Sequence, residues 1–199
     1  PLLFGLPPLL LPAHVALTEM VIDPMCTLGY ESLRAEARHM QQPPRPLSEP
    51  LIGRAQLLLG LAQGAMLLAV CFAVYALALQ QGMATEAARF MAFVTLTAGN
   101  LMLALIDTTQ QPLSRGGSVA RPFVWITLAA VAALGLCVAV PPLRSLFGFA
   151  WPGTAELGLA VLAGVLGTAW WDLAKGWPLV ARTFGARTVA VQTNLRSEI

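Results

Sequence analysis

Five apolar segments, at residues 12–29, 54–79, 89–106, 122–140 and 154–171, alternate with shorter polar stretches. Each is close to the roughly 20 apolar residues that an α-helix needs to cross a bilayer. In hydrocarbon every backbone N–H and C=O must find its partner within the protein, which favours helices of this length. The expected fold is an all-α polytopic membrane protein of about five transmembrane helices, with a short non-helical stretch before the first. Composition agrees: only 11% of residues are charged, where a soluble domain carries about a quarter.

The first segment is unlike the others. It contains Glu19, Asp23 and Pro24, so both carboxylates fall near the middle of the bilayer, where an acid costs roughly 2.5–3.5 kcal/mol. At spacing i, i+4 the two project from one face, a turn apart. Pro24 has no N–H and crowds the carbonyl of Met20, which loses its helical partner. Two carboxylates beside a freed carbonyl make a set of oxygen ligands suited to a hard cation. Hydrogen bonding of protonated acids to a neighbouring helix is the structural alternative, and ionisable groups inside the membrane favour the functional reading.

Other chemistries find little support. Cys26, Cys71 and Cys137 all lie in apolar runs and have no metal-ligand spacing, which assigns them to packing. His14 and His39 are isolated in sequence and read as surface or interface residues rather than ligands. A net charge of +2, with scattered basic residues, does not suggest nucleic acid. No Gly-rich phosphate loop is present. The opening Pro1–Pro8 has neither a basic n-region nor a small-residue cleavage site, so it is not a signal peptide. The chain is therefore expected to be a piece of a longer one.

In chain order, residues 1–11 hold Gly5, Pro7 and Pro8 and read as the end of an upstream helix and a turn on the outer side. Residues 12–177 form the transmembrane domain. Within it, residues 30–53 are a polar, proline-rich loop with Pro43-Pro44-Arg45-Pro46, extended in course and suited to docking. A short turn at 80–88 leads to the third span, which carries Asn100. Asn100 is either an ion ligand or an interhelical hydrogen-bonding group, the latter worth about 0.6–1.7 kcal/mol. Residues 107–121 are a second polar loop. The fourth span is closed by Pro141-Pro142, and residues 144–153 read as a turn. Gly158, Gly164 and Gly167 in the fifth span allow close helix approach. Trp170, Trp171 and Trp177 form an aromatic belt before the tail, residues 178–199.

Orientation follows from the basic residues. Placing the 30–53 loop, the 107–121 loop and the tail on one side gathers Arg34, Arg38, Arg45, Arg54, Arg115, Arg121, Lys175, Arg182, Arg187 and Arg196 there. Only Arg89 and Arg144 remain opposite. By the positive-inside rule both loops and the C-terminus are cytoplasmic.

Three stretches together resemble the C-terminal membrane region of P-type cation-transporting ATPases, of the calcium-pump-like, bacterial type. Leu17-Thr18-Glu19-Met20-Val21-Ile22-Asp23-Pro24 resembles the sixth transmembrane helix of that family. Pro43-Pro44-Arg45-Pro46-Leu47-Ser48-Glu49-Pro50-Leu51-Ile52 is similar to its loop between helices six and seven. Arg89-Phe90-Met91-Ala92-Phe93, leading to Gly99-Asn100-Leu101, is similar to its eighth helix. The resemblance covers most of residues 12–107 in order, and the last two spans match in position and length.

The resemblance implies helices six to ten of such a pump, in the plasma (inner) membrane of a bacterium. The calcium-pump pattern Asn-x-x-Thr-Asp coordinates the ion; here Glu19 stands at the Asn position, Ile22 at the Thr position and Asp23 at the Asp position. Asn100 falls where the eighth helix offers Glu or Gln. Glu19, Asp23 and Asn100 are thereby implied as ligands of the transported cation. The Asp-Lys-Thr-Gly phosphorylation motif of the family does not occur, so no catalytic residue and no cofactor is assigned to this chain; ATP and Mg belong to the complete pump. The implied partners are the lipid bilayer, the upstream helices and the cytoplasmic phosphorylation and nucleotide domains, with residues 30–53 as the coupling loop. Two alternatives stand beside it. One is a stand-alone accessory protein or split-gene remnant without transport activity. The other is an ion-coupled carrier, which should show inverted repeats with matching broken helices; only one broken acidic helix is present.

Overall fold

A computed structural model describes residues 5–19, 27, 54–108 and 121–174. Among these residues there are six α-helices and no strand: α1 (Pro12–Leu17), α2 (Arg54–Gln80), α3 (Thr85–Thr108), α4 (Arg121–Ala139), α5 (Pro141–Phe147) and α6 (Thr154–Ala174). Residues 6–11 are non-helical, as Pro7 and Pro8 and the preceding Gly5 predict. The continuation of the first span through Asp23 and Pro24, the loops at 30–53 and 109–120, and the tail lie outside the described residues.

Three helices are long and apolar enough to cross a membrane: Leu57–Gln80, Thr85–Asp107 and Thr154–Asp172. A fourth is added if α4 and α5 count as one broken span. The expected five spans are thus met by three or four among the described residues. α2 is apolar all round, without an amphipathic stripe, as befits a helix whose outer face meets lipid rather than water. α3 is the central helix: more than half of its apolar window is buried, against under a fifth for α2 and α6.

Helix boundaries depart from apolarity in two places. α3 begins at Thr85, four residues before the expected Arg89. Thr-Glu-Ala-Ala supports helix even where it is not apolar, and Glu86 in the first turn complements the positive end of the helix dipole. The connection from α2 is correspondingly short, with Gly82 at φ 77° and the Met83 N–H bonded to the Ala78 carbonyl at 3.1 Å. Residues 144–153 are not simply a turn. After Ala139 the chain bends by 96° at Val140, and Pro141-Pro142 start the short helix α5. The prolines lack the N–H groups that a continued α4 would need, yet are well placed at the first positions of a new helix. Gly148, at φ 55° and ψ 45°, ends α5 in a left-handed conformation favoured for glycine.

The seam between α3 and α6 is the closest in the fold. A Cβ on Gly164 would run into the carbonyl oxygen of Thr95 and lie 3.1 Å from both the Ala98 Cβ and the Gly99 nitrogen. Gly99 in turn receives Leu67 of α2, and a Cβ on Gly167 would be 2.8 Å from Val70 Cγ2. Gly164 and Gly167 therefore act as the sequence predicts, whereas Gly158 has open space around it and makes no close approach. The Thr95 hydroxyl, fully buried, lies 2.9 Å from the Met91 carbonyl and 3.0 Å from the Ala160 carbonyl across the seam. Thr95→Val should cost about 0.6–1.7 kcal/mol, read as a lower midpoint in a thermal melt of the detergent-solubilised protein.

Candidate functional site

Leu11, the N-cap of α1, makes no side-chain cap hydrogen bond; instead His14 reaches back along its own first turn. Its Nδ1 accepts the Leu11 N–H at 3.1 Å, and its Nε2 lies 2.6 Å from the Phe147 carbonyl at the end of α5. The ring is fully buried, stacked on Phe149 with centroids 4.6 Å apart and planes 5° apart, with Phe93 on another side at 5.3 Å. This corrects the surface reading of His14: the residue is isolated in sequence but central in space.

Arg89, in the second turn of α3, is buried as well. Its Nε and Nη2 each donate to the Pro8 carbonyl at 3.2 Å, and its Nη1 donates to the Gly148 carbonyl at 3.4 Å. The Tyr75 hydroxyl of α2 donates to the Pro7 carbonyl at 3.1 Å. Prolines 7 and 8 supply no N–H, so residues 6–11 cannot pair as a helix or strand, and their carbonyls are taken up by side chains of α2 and α3. These contacts set the direction of α1. Pro8 is level with Arg89 and His14 with Phe93, so α1 runs parallel to α3.

The predicted ligands can be placed on this frame. Glu19 follows α1 directly and is exposed. It ends a stripe of exposed residues, Pro12, Val15, Ala16 and Glu19, at the i, i+3, i+4, i+7 spacing of one helix face, while His14 and Leu17 are buried. Asn100 is half-buried on α3, seven residues beyond Phe93 and on the same face. At 1.5 Å per residue Asn100 lies about 10.5 Å below Phe93, and Glu19, reached through a π-helical turn at residues 18–19, lies no more than about 7.5 Å below His14, so the two differ in depth by about 3 Å or more. They are not brought into contact. Glu19 is exposed where His14 is buried, so it lies on the uncovered side rather than against α3. Asp23 lies outside the described residues.

Other features do not form a cation site. A groove of about 470 Å³ between α3, α4 and α6, lined by residues such as Val94, Leu101, Ala130 and Val161, contains no carboxylate. Its two hydroxyls, Thr97 and Thr127, are bonded to the carbonyls of Phe93 and Phe123 in their own helices. Among the described residues no three His, Cys, Asp or Glu side chains come together as a metal site. One acid that sequence reading passed over is Asp172, near the end of α6: it is buried, and its Oδ1 has no hydrogen-bond partner among the described residues. Its signal was an acid closing an apolar run, whereas Glu19 stands inside one.

Comparison with curated proteins returns no match. A family model described as "Cation transporting ATPase, C-terminus" matches residues 7–177, which takes in every helix described above. The chain therefore belongs to the family of C-terminal regions of cation-transporting P-type ATPases, and its apolar helices are those of an integral membrane protein.

Proposed function

We propose that this chain is the part of an ATP-driven cation pump that contributes the acidic ligands Glu19 and Asp23, with Asn100, to the transport site. The observation that carries the reading is the uncovered face of α1. Pro12, Val15, Ala16 and Glu19 are exposed together, and in a helix that continues regularly Asp23 falls one turn further along the same stripe. A bare carboxylate facing lipid at that depth is costly. This face is accounted for if helices from the rest of the pump cover it, closing a cavity around the acids. Asn100, about 3 Å or more deeper, can reach the same cavity from α3 once α1 is turned there, and the break expected at Pro24 gives the span room to turn.

The loop at 30–53 is the cytoplasmic coupling segment of this proposal, placed there by the basic residues around it. Phosphorylation elsewhere in the pump would shift the helices, and this loop would carry the movement to the span bearing Glu19. Turnover of ATP itself rests on domains other than this one. Asn100→Ala in the complete pump should raise the cation concentration for half-maximal turnover about 3- to 20-fold, the loss of one hydrogen-bonding group of about 0.6–1.7 kcal/mol. Unchanged cation dependence would return Asn100 to helix packing.

A further inference from the structure

Four parts of the chain that are distant in sequence meet around His14: the non-helical residues 6–11, the outer ends of α2 and α3, and the link from α5 to α6. The hydrogen bonds specify its chemical state. Nδ1 accepts the Leu11 N–H, so it carries no proton; Nε2 faces the Phe147 carbonyl, so it carries one. A single neutral tautomer satisfies both contacts. A second proton on Nδ1 would turn acceptor into donor against a backbone N–H, and would place a cation in the same buried cluster as the Arg89 guanidinium. No described carboxylate offsets it there. At the ends of the packed elements nearest His14 the ionisable groups are Tyr75 of α2, Arg89 and Glu86 of α3, Arg144 of α5 and Glu156 of α6; Arg54 and Cys71 of α2, Asp107 of α3 and Asp172 of α6 lie further along their helices. Tyr75 and Arg89 are buried, Glu86 and Arg144 are exposed, and Glu156 is half-buried beside Gly153. Of these residue types only histidine ordinarily titrates between pH 5 and 8.

We propose that His14 is a positioning residue which, while neutral, latches the start of the transport span to the α5–α6 link, and that acid on that side of the membrane releases it. This rests on the reading of α1 as the beginning of the ion-bearing span. The latch holds because two bonds fix the ring at once, one to the first turn of α1 and one to a carbonyl 133 residues away. Protonation removes the cap on α1 and opposes Arg89, so the Pro8 and Gly148 carbonyls lose their fixed spacing. Glu19 is five residues further along the chain, in the π-helical turn that follows α1 and about one turn from His14. A loosened first turn therefore shifts the carboxylate, and cation affinity falls as pH falls. The sign is set by the bonding pattern: the latched state contains the neutral ring and is favoured at higher pH.

The test uses the complete pump in lipid nanodiscs. Amide hydrogen exchange of residues 11–18 is followed at pH about 7.5, about 5.5 and about 4.5, the last well below the ordinary histidine range because the latched fold itself resists the second proton, and is corrected for intrinsic chemical exchange. Protection should fall about fivefold or more on acidification, the low end of usual coupling between sites. In His14→Gln, whose side chain does not titrate, protection should not change with pH. Constant protection in the unmodified protein overturns the latch, as does an unaltered pH response in His14→Gln. If the variant fails to assemble, exchange in the unmodified protein still decides. Glu19→Gln is assayed in parallel for ATP turnover stimulated by calcium, sodium or potassium ions. Full turnover in that variant would defeat the site reading and leave the exchange result standing, whereas a failed latch leaves the Glu19 result untouched.

Discussion

Glu19→Gln is expected to abolish cation-stimulated ATP turnover in the complete pump while leaving the protein inserted in the membrane. Glutamine keeps the length of the side chain and one carbonyl oxygen but removes the charge. A hard cation entering a site of low dielectric gives up hydration that a neutral amide cannot replace. Because Glu19 is exposed in the fold formed by these helices, the substitution removes no packing contact here. Loss of turnover would therefore report on the site and not on the scaffold. Asp23→Asn is expected to behave alike, since the i, i+4 spacing in sequence would put it one turn away on the same face of a regular helix. The variants should run in size-exclusion chromatography as the unmodified protein does. Full turnover in either would remove that residue from the ligand set.

Gly164→Ala is expected to destabilise the helix assembly by about 1–3 kcal/mol or more, the range for forcing extra atoms into a close-packed contact. The added methyl meets the backbone carbonyl of Thr95 rather than a movable side chain. α3 and α6 must then separate, and the Thr95 hydroxyl loses its reach to the Ala160 carbonyl. Gly158→Ala on the same helix is the matched comparison. Its Cβ meets nothing within 4 Å, so the substitution should be neutral, or stabilising by up to about 1 kcal/mol through helix propensity. Thermal denaturation of both variants in one detergent checks the contrast. Equal effects would mean that the seam does not depend on close backbone approach.

The three helices that qualify as spans were legible because length and apolarity are local properties that the bilayer makes decisive. Boundaries were less so. The start of α3 at Thr85 rests on helix propensity and charge placement, which a search for apolar runs ignores. Pro141-Pro142 announced the end of α4, but the 96° bend into α5 depends on packing of Phe147 and Phe149 against residues from the other end of the chain. The contacts of His14 and Arg89 were the largest features not foreseen. Their partners are carbonyls, which every residue possesses, so no side-chain motif marks them. His14 is bound to residue 147 and Arg89 to residues 8 and 148, separations that only the folded chain reveals. Glu19 was singled out for the opposite reason: an acid within an apolar run violates the pattern around it.

The most direct measurement is the reaction of Glu19 with a hydrophobic carbodiimide in native membranes, read by mass spectrometry of the peptide that contains it. Such a reagent modifies carboxyl groups within the apolar layer. The account predicts that Glu19 is modified when cations are withheld, and that one of calcium, magnesium, sodium or potassium ions protects it at concentrations that stimulate turnover. Modification at the same rate with and without each of these ions would contradict a cation site at Glu19.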